Sequence, residues 1–235
     1  MRIIRVEHGG TSYYGILEDG LVFRLHQQPG HMEPIPLSEA KVLPLVTPSK
    51  VVCVGLNYKA HAEELGYPLP NMPSFFLKPP SSIIGNGEPI VLPSGMGRIE
   101  HEAELAMVVG KVCRNLTPEE AEESLFGFTC ANDVTAREVQ KVDPLIGHCK
   151  SYDTFCPIGP WIETELEDIN DLSIRCLVNG EVRQSANTGD MIFRPLDLLC
   201  FLSRVMTLMP GDVILTGTPP GISPIQADDV VQVAV

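Results

Sequence analysis

Three glutamates at alternate positions, Glu100, Glu102 and Glu104, are the residues whose spacing most directly suggests chemistry. Their stretch alternates like a β-strand, so the three carboxylates would share one face and repel one another unless a cation compensates them. Asp133 ends another predicted strand, and carboxylates from two strands would form the all-oxygen ligand set that suits Mg²⁺ or Mn²⁺. The spacing therefore predicts a divalent metal site, with an ordinary solvent-facing strand as the open alternative.

A histidine and a glutamate three residues apart, His61 and Glu64, lie in a short predicted helix that is capped by Asn57 and stops at Gly66. Residues at this spacing share one face of a helix, and a carboxylate that holds an imidazole is a common base for activating water. A charged surface helix that happens to contain a histidine would show the same spacing. His61 and Glu64 are therefore candidate catalytic residues, and the surface helix stays an open alternative.

Four further polar side chains adjoin apolar strands, where each could meet a substrate carboxylate or an enolate oxygen. They are Lys78, Arg137, Gln140 and Lys150. An ordinary surface position, or an ion pair with one of the many acids, is the alternative for each of them. The loop 216–221 could offer backbone amides and a hydroxyl to an anion, but it lacks the lysine of a P-loop and a G-x-G-x-x-G spacing, which argues against nucleotide binding.

The charge balance and hydropathy of the chain restrict its functional class. With 17 basic and 30 acidic residues among 235, the formal net charge of -13 argues against electrostatic binding of nucleic acid or an anionic membrane. The sequence has neither an apolar signal segment nor a run long enough to span a bilayer, so we expect a cytoplasmic protein. The seven cysteines form no C-x-x-C pair, and most of them are predicted to be small core residues.

The elements that must position the candidate residues fall into two predicted parts. Short strands over residues 2–7, 13–17 and 21–25 are separated by Gly-Gly and Asp-Gly turns. Proline-rich sequence then runs from residue 33 to residue 48. We therefore predict a small N-terminal β-meander domain over residues 1–48 and a catalytic domain over residues 49–235.

Strands dominate the second predicted part. They are expected over residues 51–55, 75–77, 89–92, 126–133, 173–178, 181–184 and 213–216, with an Asn-Gly hairpin turn before the sixth. Besides the helix that carries His61, helices are expected from a capping box at Thr117 to about residue 125 and over residues 195–206. This layout favours an α+β fold with a largely β core.

Seven short motifs follow one another from about residue 52 to the C-terminus. They are Val54-Gly55-Leu56-Asn57-Tyr58-Lys59-Ala60-His61, Phe76-Leu77-Lys78-Pro79, His101-Glu102-Ala103-Glu104-Leu105, Ala131-Asn132-Asp133-Val134-Thr135-Ala136-Arg137, Lys150-Ser151-Tyr152-Asp153-Thr154, Asn179-Gly180-Glu181 and Leu215-Thr216-Gly217-Thr218-Pro219. In this order they resemble the fumarylacetoacetate hydrolase family, in particular its small bacterial acylpyruvate hydrolases and hydroxyheptadienedioate isomerases and decarboxylases. A chance match of so many ordered pieces is not credible.

The resemblance implies a mixed β-sandwich roll, usually a homodimer, that binds a small 2-oxo acid with a divalent cation. This cation is expected to be Mg²⁺ or Mn²⁺, with Ca²⁺ as an alternative in vitro. The resemblance also implies that Glu102, Glu104 and Asp133 hold this metal. It further implies that His61 and Glu64 belong to a lid that orders over the substrate and activates a water. Lys150 would lie beside the metal, and three residues would hold the carboxylate end of the substrate: Arg137, Gln140 and Thr218.

The expected reaction is hydrolysis of a C-C bond in an acylpyruvate-like acid through a metal-bound pyruvate enolate, because the pair of His61 and Glu64 is intact. The motifs fit neighbouring reactions as well: isomerisation or decarboxylation of 2-hydroxyhepta-2,4-diene-1,7-dioate type acids, and decarboxylation or tautomerisation of oxaloacetate. A non-catalytic protein whose metal only stabilises the fold is the alternative of a different class. It would have no need of His61.

The sequence departs from the family pattern at two places, and one of the three alternating glutamates has no counterpart role in the family. Many relatives carry Arg where this chain has Leu56, which implies that a carboxylate contact is missing or moved. The segment 229–235 resembles a strand that relatives continue, so the last strand is expected to be incomplete. Glu100 gains no role from the resemblance and is expected to be dispensable.

Overall fold

The structure is a computed structural model that describes residues 1–25, 33–143 and 145–235. Its N-terminal strands are β1 (Arg2–His8), β2 (Thr11–Glu18), β3 (Leu21–Arg24), β4 (Ile35–Pro36) and β5 (Lys41–Val42). The middle of the chain forms β6 (Val51–Gly55), β7 (Ser74–Lys78), β8 (Ile83–Ile84), β9 (Ile99–Glu100), β10 (Ala103–Val109), β11 (Leu125–Asn132) and β12 (Thr135–Ala136). The C-terminal strands are β13 (Cys156–Glu163), β14 (Ser173–Val178), β15 (Glu181–Asn187), β16 (Val213–Leu215) and β17 (Val231–Ala234).

Short helices accompany these strands. The α-helices are α1 (Lys59–Leu65), α2 (Pro118–Ser124), α3 (Arg137–Gln140), α4 (Gly147–Lys150) and α5 (Pro195–Val205), and 3-10 turns occupy Leu37–Glu39, Pro80–Ser82 and Thr188–Asp190. The fold is α+β with few helices, as predicted. None of the helices in the described parts of the chain is long and apolar enough to cross a membrane.

One large mixed sheet runs through the molecule in the order β4-β3-β2-β1-β13-β11-β10-β16-β6-β7. Most neighbours are antiparallel, whereas β16 and β6 are parallel. The predicted N-terminal strands are present, and β1 joins the same sheet by pairing with β13. Two smaller sheets complete the fold, one from β9 and β12 and one from β15, β14 and β17.

The central strand β10 is buried on both faces, which explains its nearly continuous apolar sequence. Ala106 and Val108 face one core cluster that contains Val51 and Cys53 of β6. Met107 and Val109 face another cluster, which is covered by apolar residues of α2 and α5. The period of two along each strand therefore fills two cores from one sheet. Six of the seven cysteines are buried, as predicted, and Cys130 is half-buried.

The three alternating glutamates do not lie on one continuous strand, so this part of the prediction is wrong. Glu100 ends β9, which pairs with β12, whereas Glu104 lies in β10, which pairs with β11. Between the two strands the amide of Asp133 donates to the carbonyl oxygen of Glu102 at 2.8 Å. The two paired segments, β9–β10 and β11–β12, are thus both interrupted at this level, which places Glu102 opposite Asp133.

Three other local predictions also need correction. The helix α1 ends at Gly66 in the left-handed conformation as expected, but its N-cap is Tyr58 rather than Asn57. The side chain of Asn57 instead bonds the backbone of Phe193 and Thr216, because it is fully buried and needs internal partners. Residues 89–92 form no strand. Strand β13 was not predicted, since its two prolines and one glycine are uncommon within strands.

A buried carboxylate, that of Asp212, fixes the start of β16 against β6. It accepts hydrogen bonds from the amides of Ser49, Lys50 and Met209 and from the side chains of Ser49 and Lys50. Burial favours the neutral acid, but these donors outweigh burial and hold the pKa of Asp212 below its ordinary value. The charged form is therefore the one that stabilises the fold.

We expect Asp212→Asn to lower the free energy of unfolding by about 2 kcal/mol at pH 7, because the amide cannot accept all these bonds or pair with Lys50. Since the folded pKa is depressed, this contribution is present above the unfolded pKa and is lost as the pH falls below about 4. Urea unfolding at pH 7 and pH 3 measures the difference. Glu122→Ala on the exposed face of α2 is the control, and an equal gap between Asp212→Asn and the wild type at both pH values would contradict the assignment.

Candidate active site

Three buried carboxyl groups converge where the ladder of β10 and β11 is interrupted. Glu104 lies in β10, Glu102 immediately precedes this strand, and Asp133 immediately follows β11. One oxygen from each lies within 4.8 Å of the others. The solvent-facing alternative for these acids is wrong, since none of the three is more than 6% exposed.

Two buried lysines contact these carboxylates, and one of them, Lys150, bridges two of the three. Lys78, the last residue of β7, donates to Asp133 Oδ1 at 2.5 Å and to the carbonyl oxygen of Val134 at 3.1 Å. Lys150, the last residue of α4, donates to Glu102 Oε2 at 2.8 Å and to Asp133 Oδ2 at 2.7 Å. Both ammonium groups are almost inaccessible to solvent, so the surface-charge alternative is wrong for these two residues.

Arg137, the first residue of α3, reaches the same cluster from another side. Its Nη2 bonds Glu102 Oε1, its Nε donates to Glu100 Oε2 at 2.5 Å, and its Nη1 donates to Gln140 Oε1 at 2.6 Å. Each guanidinium nitrogen thus has a protein partner. Since an arginine has five N–H groups, two remain for a ligand. Arg137 and Gln140, which the sequence predicted to act together, are in direct contact.

The surroundings shift the pKa values of Glu102 and Glu104 in opposite directions. Burial favours the neutral acid of Glu102, but the charges of Lys150 and Arg137 outweigh burial and lower its pKa well below the usual range. Burial and the negative charges of Asp133 and Glu102 raise the pKa of Glu104 well above its usual value. Burial opposes the charge of Lys150, yet its two carboxylate partners raise the pKa of this lysine, which stays cationic.

Glu104 is the carboxyl group whose charge is not compensated. Its Oε2 accepts from the amide of Gly217 at 2.5 Å, and within the described ranges no lysine or arginine forms an ion pair with it. A divalent cation between Glu102, Glu104 and Asp133 would supply the missing positive charge. Three carboxylate oxygens form the hard ligand set that Mg²⁺ and Mn²⁺ prefer, so the residues fit such an ion.

The predicted pair on α1 is formed. His61 Nδ1 lies 2.8 Å from Glu64 Oε2, and Glu64 Oε1 accepts from the amide of Gly221 at 3.1 Å. His61 is 5% exposed, so it does not lie on the exposed face of α1, whereas Glu64 does. Since an ionised carboxylate only accepts, the tautomer of the neutral imidazole that fits this contact has its proton on Nδ1 and a lone pair on Nε2. The contacts of this pair connect α1 to the loop 216–225, which follows β16.

The loop 216–225 also contacts the carboxylate cluster. Gly217 adopts a φ of +101°, and a Cβ at this position would lie 2.6 Å from Cβ of Asn57. Only glycine therefore allows the amide to approach Glu104 in this way. The hydroxyl of Thr218 donates to the carbonyl oxygen of Ala103 at 2.9 Å. One loop thus holds both α1 and the strand that carries Glu104.

Three buried residues at the site were missed or undervalued by the sequence reasoning. Gln184 bonds Ala103, Thr218, Pro219 and His101, and His101 also lies 2.8 Å from Ser223 Oγ. Burial lowers the pKa of His101, which favours its neutral form. Glu100 is 1% exposed and lies between Arg98 and Arg137, which argues against a dispensable residue. Spacing alone gave no indication of Gln184, because its partners are distant in sequence.

Comparison with known families agrees with this geometry. Residues 50–235 match the family model for the fumarylacetoacetate (FAA) hydrolase C-terminal domain. The chain belongs to the fumarylacetoacetate hydrolase family. Residues 1–44 match a second family model, described as Rv2993c-like, N-terminal.

Relatives within the fumarylacetoacetate hydrolase family carry several enzyme names. Human mitochondrial oxaloacetate tautomerase FAHD2A is 45% identical over 195 residues, which cover 80% of this chain and 62% of the human protein. The crystal structure of 2-hydroxyhepta-2,4-diene-1,7-dioate isomerase from Mycobacterium marinum has a TM-score of 0.91 at 37% identity and covers 100% of this chain and 93% of that one.

A third relative was solved with ligands. Maleylpyruvate hydrolase from Sphingobium sp. SYK-6, in complex with manganese (II) ion and pyruvate, has a TM-score of 0.83 at 30% identity, with 100% of this chain and 94% of that chain covered. Enzymes of the fumarylacetoacetate hydrolase family thus include hydrolases, isomerases and tautomerases.

Proposed function

We propose that this protein is a divalent-metal-dependent enzyme that hydrolyses a C-C bond in acylpyruvate-like 2-oxo acids. The observation that carries the proposal is the buried convergence of Glu102, Glu104 and Asp133, with Lys150 bridging two of them. A site with this much buried charge costs folding free energy, so its presence favours a chemical purpose over a structural one. The manganese and pyruvate of the Sphingobium relative support a metal and a pyruvate-derived fragment.

The carboxylate and 2-oxo group of such a substrate need positive charge in a chain whose net charge is -13. Glu102, Glu104 and Asp133 would hold Mg²⁺ or Mn²⁺, which supplies Lewis-acid polarisation of the 2-oxo group when bound. The remaining N–H groups of Arg137 and the amide NH₂ of Gln140 bind the carboxylate end, whereas the single hydroxyl proton of Thr218, which was also expected to bind it, is donated to the carbonyl oxygen of Ala103. Lys78 keeps Asp133 in place and adds a further cation.

His61 and Glu64 activate the attacking water. Nε2 of His61 accepts a proton from water, and Glu64 stabilises the resulting imidazolium through its bond to Nδ1. The hydroxide oxygen forms a bond to the distal carbonyl carbon of the substrate. The tetrahedral adduct that results then collapses. The C-C bond breaks, a carboxylic acid is released, and the electron pair of the broken bond passes into a pyruvate enolate.

Lys150 is placed to stabilise the enolate that leaves. Two of its three ammonium protons bond Glu102 and Asp133, so one remains for the enolate oxygen. The enolate then takes one proton, from the imidazolium of His61 or from water, and becomes pyruvate. One substrate and one water thus give one carboxylic acid and one pyruvate.

A second candidate function is isomerisation or tautomerisation of the same class of acid. It needs the enolate-stabilising residues, among them Lys150, but no activated water. The human tautomerase and the mycobacterial isomerase favour it by resemblance. A panel of acylpyruvates, oxaloacetate and hydroxydienedioates, followed by loss of enol absorbance with Mg²⁺ or Mn²⁺ and by product identification, tests both candidates. Formation of pyruvate plus a second acid supports hydrolysis, whereas products of unchanged mass support isomerisation.

The variant His61→Asn separates these reactions within one protein. We expect its rate of C-C hydrolysis to fall about 10²-fold, because no base accepts the proton of water. Enol-keto interconversion of oxaloacetate should fall much less, because the enolate can also exchange its proton with water. Glu63→Gln, on the same helix but exposed, is the control for both assays. Undiminished hydrolysis by His61→Asn would remove this histidine from the mechanism.

Oxalate distinguishes an enzyme from a protein whose metal only stabilises the fold, because oxalate mimics a pyruvate enolate. We expect oxalate to raise the melting temperature in the presence of Mg²⁺ and not in the presence of EDTA. At 100 times its Kd, such a ligand adds about 2.7 kcal/mol to the free energy of unfolding. Thermal scans with succinate in place of oxalate are the control, and no Mg²⁺-dependent shift with oxalate would favour the structural alternative.

The proposal includes a homodimer and a cytoplasmic location. The dimer rests on the family resemblance, and the location rests on the composition. Sedimentation at several protein concentrations would test the dimer. The human relative is named as mitochondrial, so the location in the cell of origin needs its own measurement.

A further inference from the structure

The backbone of Ala103 lies between the two glutamates Glu102 and Glu104 and just beyond the reach of the neighbouring strand. Strand β16 pairs with β10 at Ala106, Met107 and Val108, and the amide of Thr216 extends this ladder to the carbonyl oxygen of Leu105. Ala103 itself is fully buried. Its N–H and C=O therefore need partners from outside the sheet, since buried backbone groups are almost always paired.

The side chain of Gln184 supplies these partners. The amide of Ala103 donates to Gln184 Oε1 at 3.0 Å. Gln184 Nε2 donates to Thr218 Oγ1 at 2.8 Å, and this hydroxyl donates to the carbonyl oxygen of Ala103 at 2.9 Å. The three residues form a closed ring of hydrogen bonds around the peptide groups that connect the two glutamates.

The carboxamide of Gln184 makes two further bonds, which fix its orientation. Nε2 donates to the carbonyl oxygen of Pro219 at 2.7 Å, and Oε1 lies 3.0 Å from His101 Nδ1. Since a backbone amide only donates and a backbone carbonyl only accepts, the bonds to Ala103 and Pro219 determine which end is oxygen. Nδ1 of His101 is then the donor to Oε1. Gln184 is 1% exposed and uses both amide protons.

The partners of Gln184 belong to two segments that the site needs together. Ala103 and His101 flank Glu102, whereas Thr218 and Pro219 lie in the loop 216–225, whose Gly217 bonds Glu104 and whose Gly221 bonds Glu64. On its far side His101 Nε2 contacts Ser223 Oγ in the same loop. One side chain on β15 thus connects the acidic strand to the loop.

We propose that Gln184 is a positioning residue that sets the spacing of Glu102 and Glu104 for a divalent cation. The inference rests on the proposed function, since it assumes that these carboxylates hold the metal. Residues that orient metal ligands in this way commonly change the affinity for the metal about 10- to 100-fold when they are replaced. Gln184 itself touches neither the metal nor the substrate in this role.

The test is binding of Mn²⁺ alone, without substrate, by the folded protein. Gln184→Met keeps a side chain of similar length and removes all four hydrogen bonds. We expect its Kd for Mn²⁺ to rise at least about 10-fold, as measured by electron paramagnetic resonance of free Mn²⁺. Circular dichroism and the melting temperature of the same samples show the fraction that is folded.

Thr188→Val is the matched control. Thr188 is also buried, directly follows β15, and bonds the carbonyl oxygen of Ile169 and the amide of Leu172. This variant therefore loses two buried hydrogen bonds that do not involve the site. We expect it to lower the melting temperature and to leave the Kd for Mn²⁺ unchanged, and the exposed Ser185→Ala should change neither quantity.

Several outcomes would overturn the inference. Unchanged Mn²⁺ affinity in folded Gln184→Met, or an equal loss of affinity in Thr188→Val, would leave Gln184 with a structural role only. If Gln184→Met does not fold, Thr218→Val replaces it, since this change breaks the ring of hydrogen bonds through which Gln184 holds Ala103. Weaker Mn²⁺ binding is then expected, and unchanged affinity overturns the inference. A wild-type protein that binds no Mn²⁺ would overturn the proposed function as well.

Discussion

Replacement of Asp133 by Asn is expected to abolish Mn²⁺ binding and to lower the rate of C-C hydrolysis by about 10³-fold, the equivalent of about 4 kcal/mol of transition-state stabilisation. Both oxygens of Asp133 accept from buried ammonium groups, Oδ1 from Lys78 and Oδ2 from Lys150. An amide would direct its NH₂ group at one of these cations and would remove the negative charge that compensates both. The metal and Lys150 would thus be displaced by the same change.

Activity with a panel substrate and Mn²⁺ affinity must be measured on the same preparation. Asp197→Asn, on the exposed face of α5, is the control for loss of one acidic charge and should behave like the wild type. Full activity of Asp133→Asn with EDTA present would contradict a metal-dependent mechanism. Lost activity with unchanged Mn²⁺ binding would instead place the role of Asp133 in orienting Lys78 and Lys150.

The side-by-side placement of Glu102 and Glu104, two of the proposed metal ligands, was predictable from the sequence because it depends on short-range geometry, whereas the approach of Asp133 depends on the pairing of β10 with β11. Glu102 and Glu104 are two residues apart, and Asp133 stands at the end of an apolar strand. The interruption after Glu100 was not predictable in the same way. It depends on the change of partner from β12 to β11, and a pattern of alternating residues gives no information about which strand lies alongside.

Elements that depend on local backbone chemistry were likewise predictable, whereas features that depend on distant contacts were not. The capping box at Thr117 and the Asn179-Gly180 turn have specific backbone chemistry, and both are confirmed. The order of strands in the large sheet depends on contacts between residues far apart in sequence. For the same reason Gln184 was expected only as the end of a strand, although its side chain bonds two segments that lie up to 83 positions away.

The arrangement of charge explains how so many ionic groups can be buried together. Four acids, Glu100, Glu102, Glu104 and Asp133, face two lysines and two arginines, and each cation contacts at least one of these acids. Burial of an unpaired charge costs several kcal/mol, so the removal of one member affects the rest. Glu100 is the member for which the sequence gave no role.

We expect Glu100→Ala to lower the free energy of unfolding by about 2 to 3 kcal/mol, because Arg137 would lose one of its two carboxylate partners and keep only Glu102. Arg98 is half-exposed and can be solvated, whereas the side chain of Arg137 is 15% exposed. Urea unfolding at neutral pH measures the loss. Glu100→Gln should be less destabilising, since its amide oxygen can still accept from Nε of Arg137.

Glu138→Ala is the matched control, since Glu138 lies on α3 beside Arg137 and its ion pair among the described residues is with the exposed Lys141. An exposed pair of this kind contributes at most about 0.5 kcal/mol, so the control should remain close to the wild type. Wild-type stability in Glu100→Ala would restore the expectation that this residue is dispensable. A large loss in Glu100→Ala alone would show that Arg137 depends on Glu100 for its position. Glu102 would then share the guanidinium of Arg137 with an acid that is not among the proposed metal ligands.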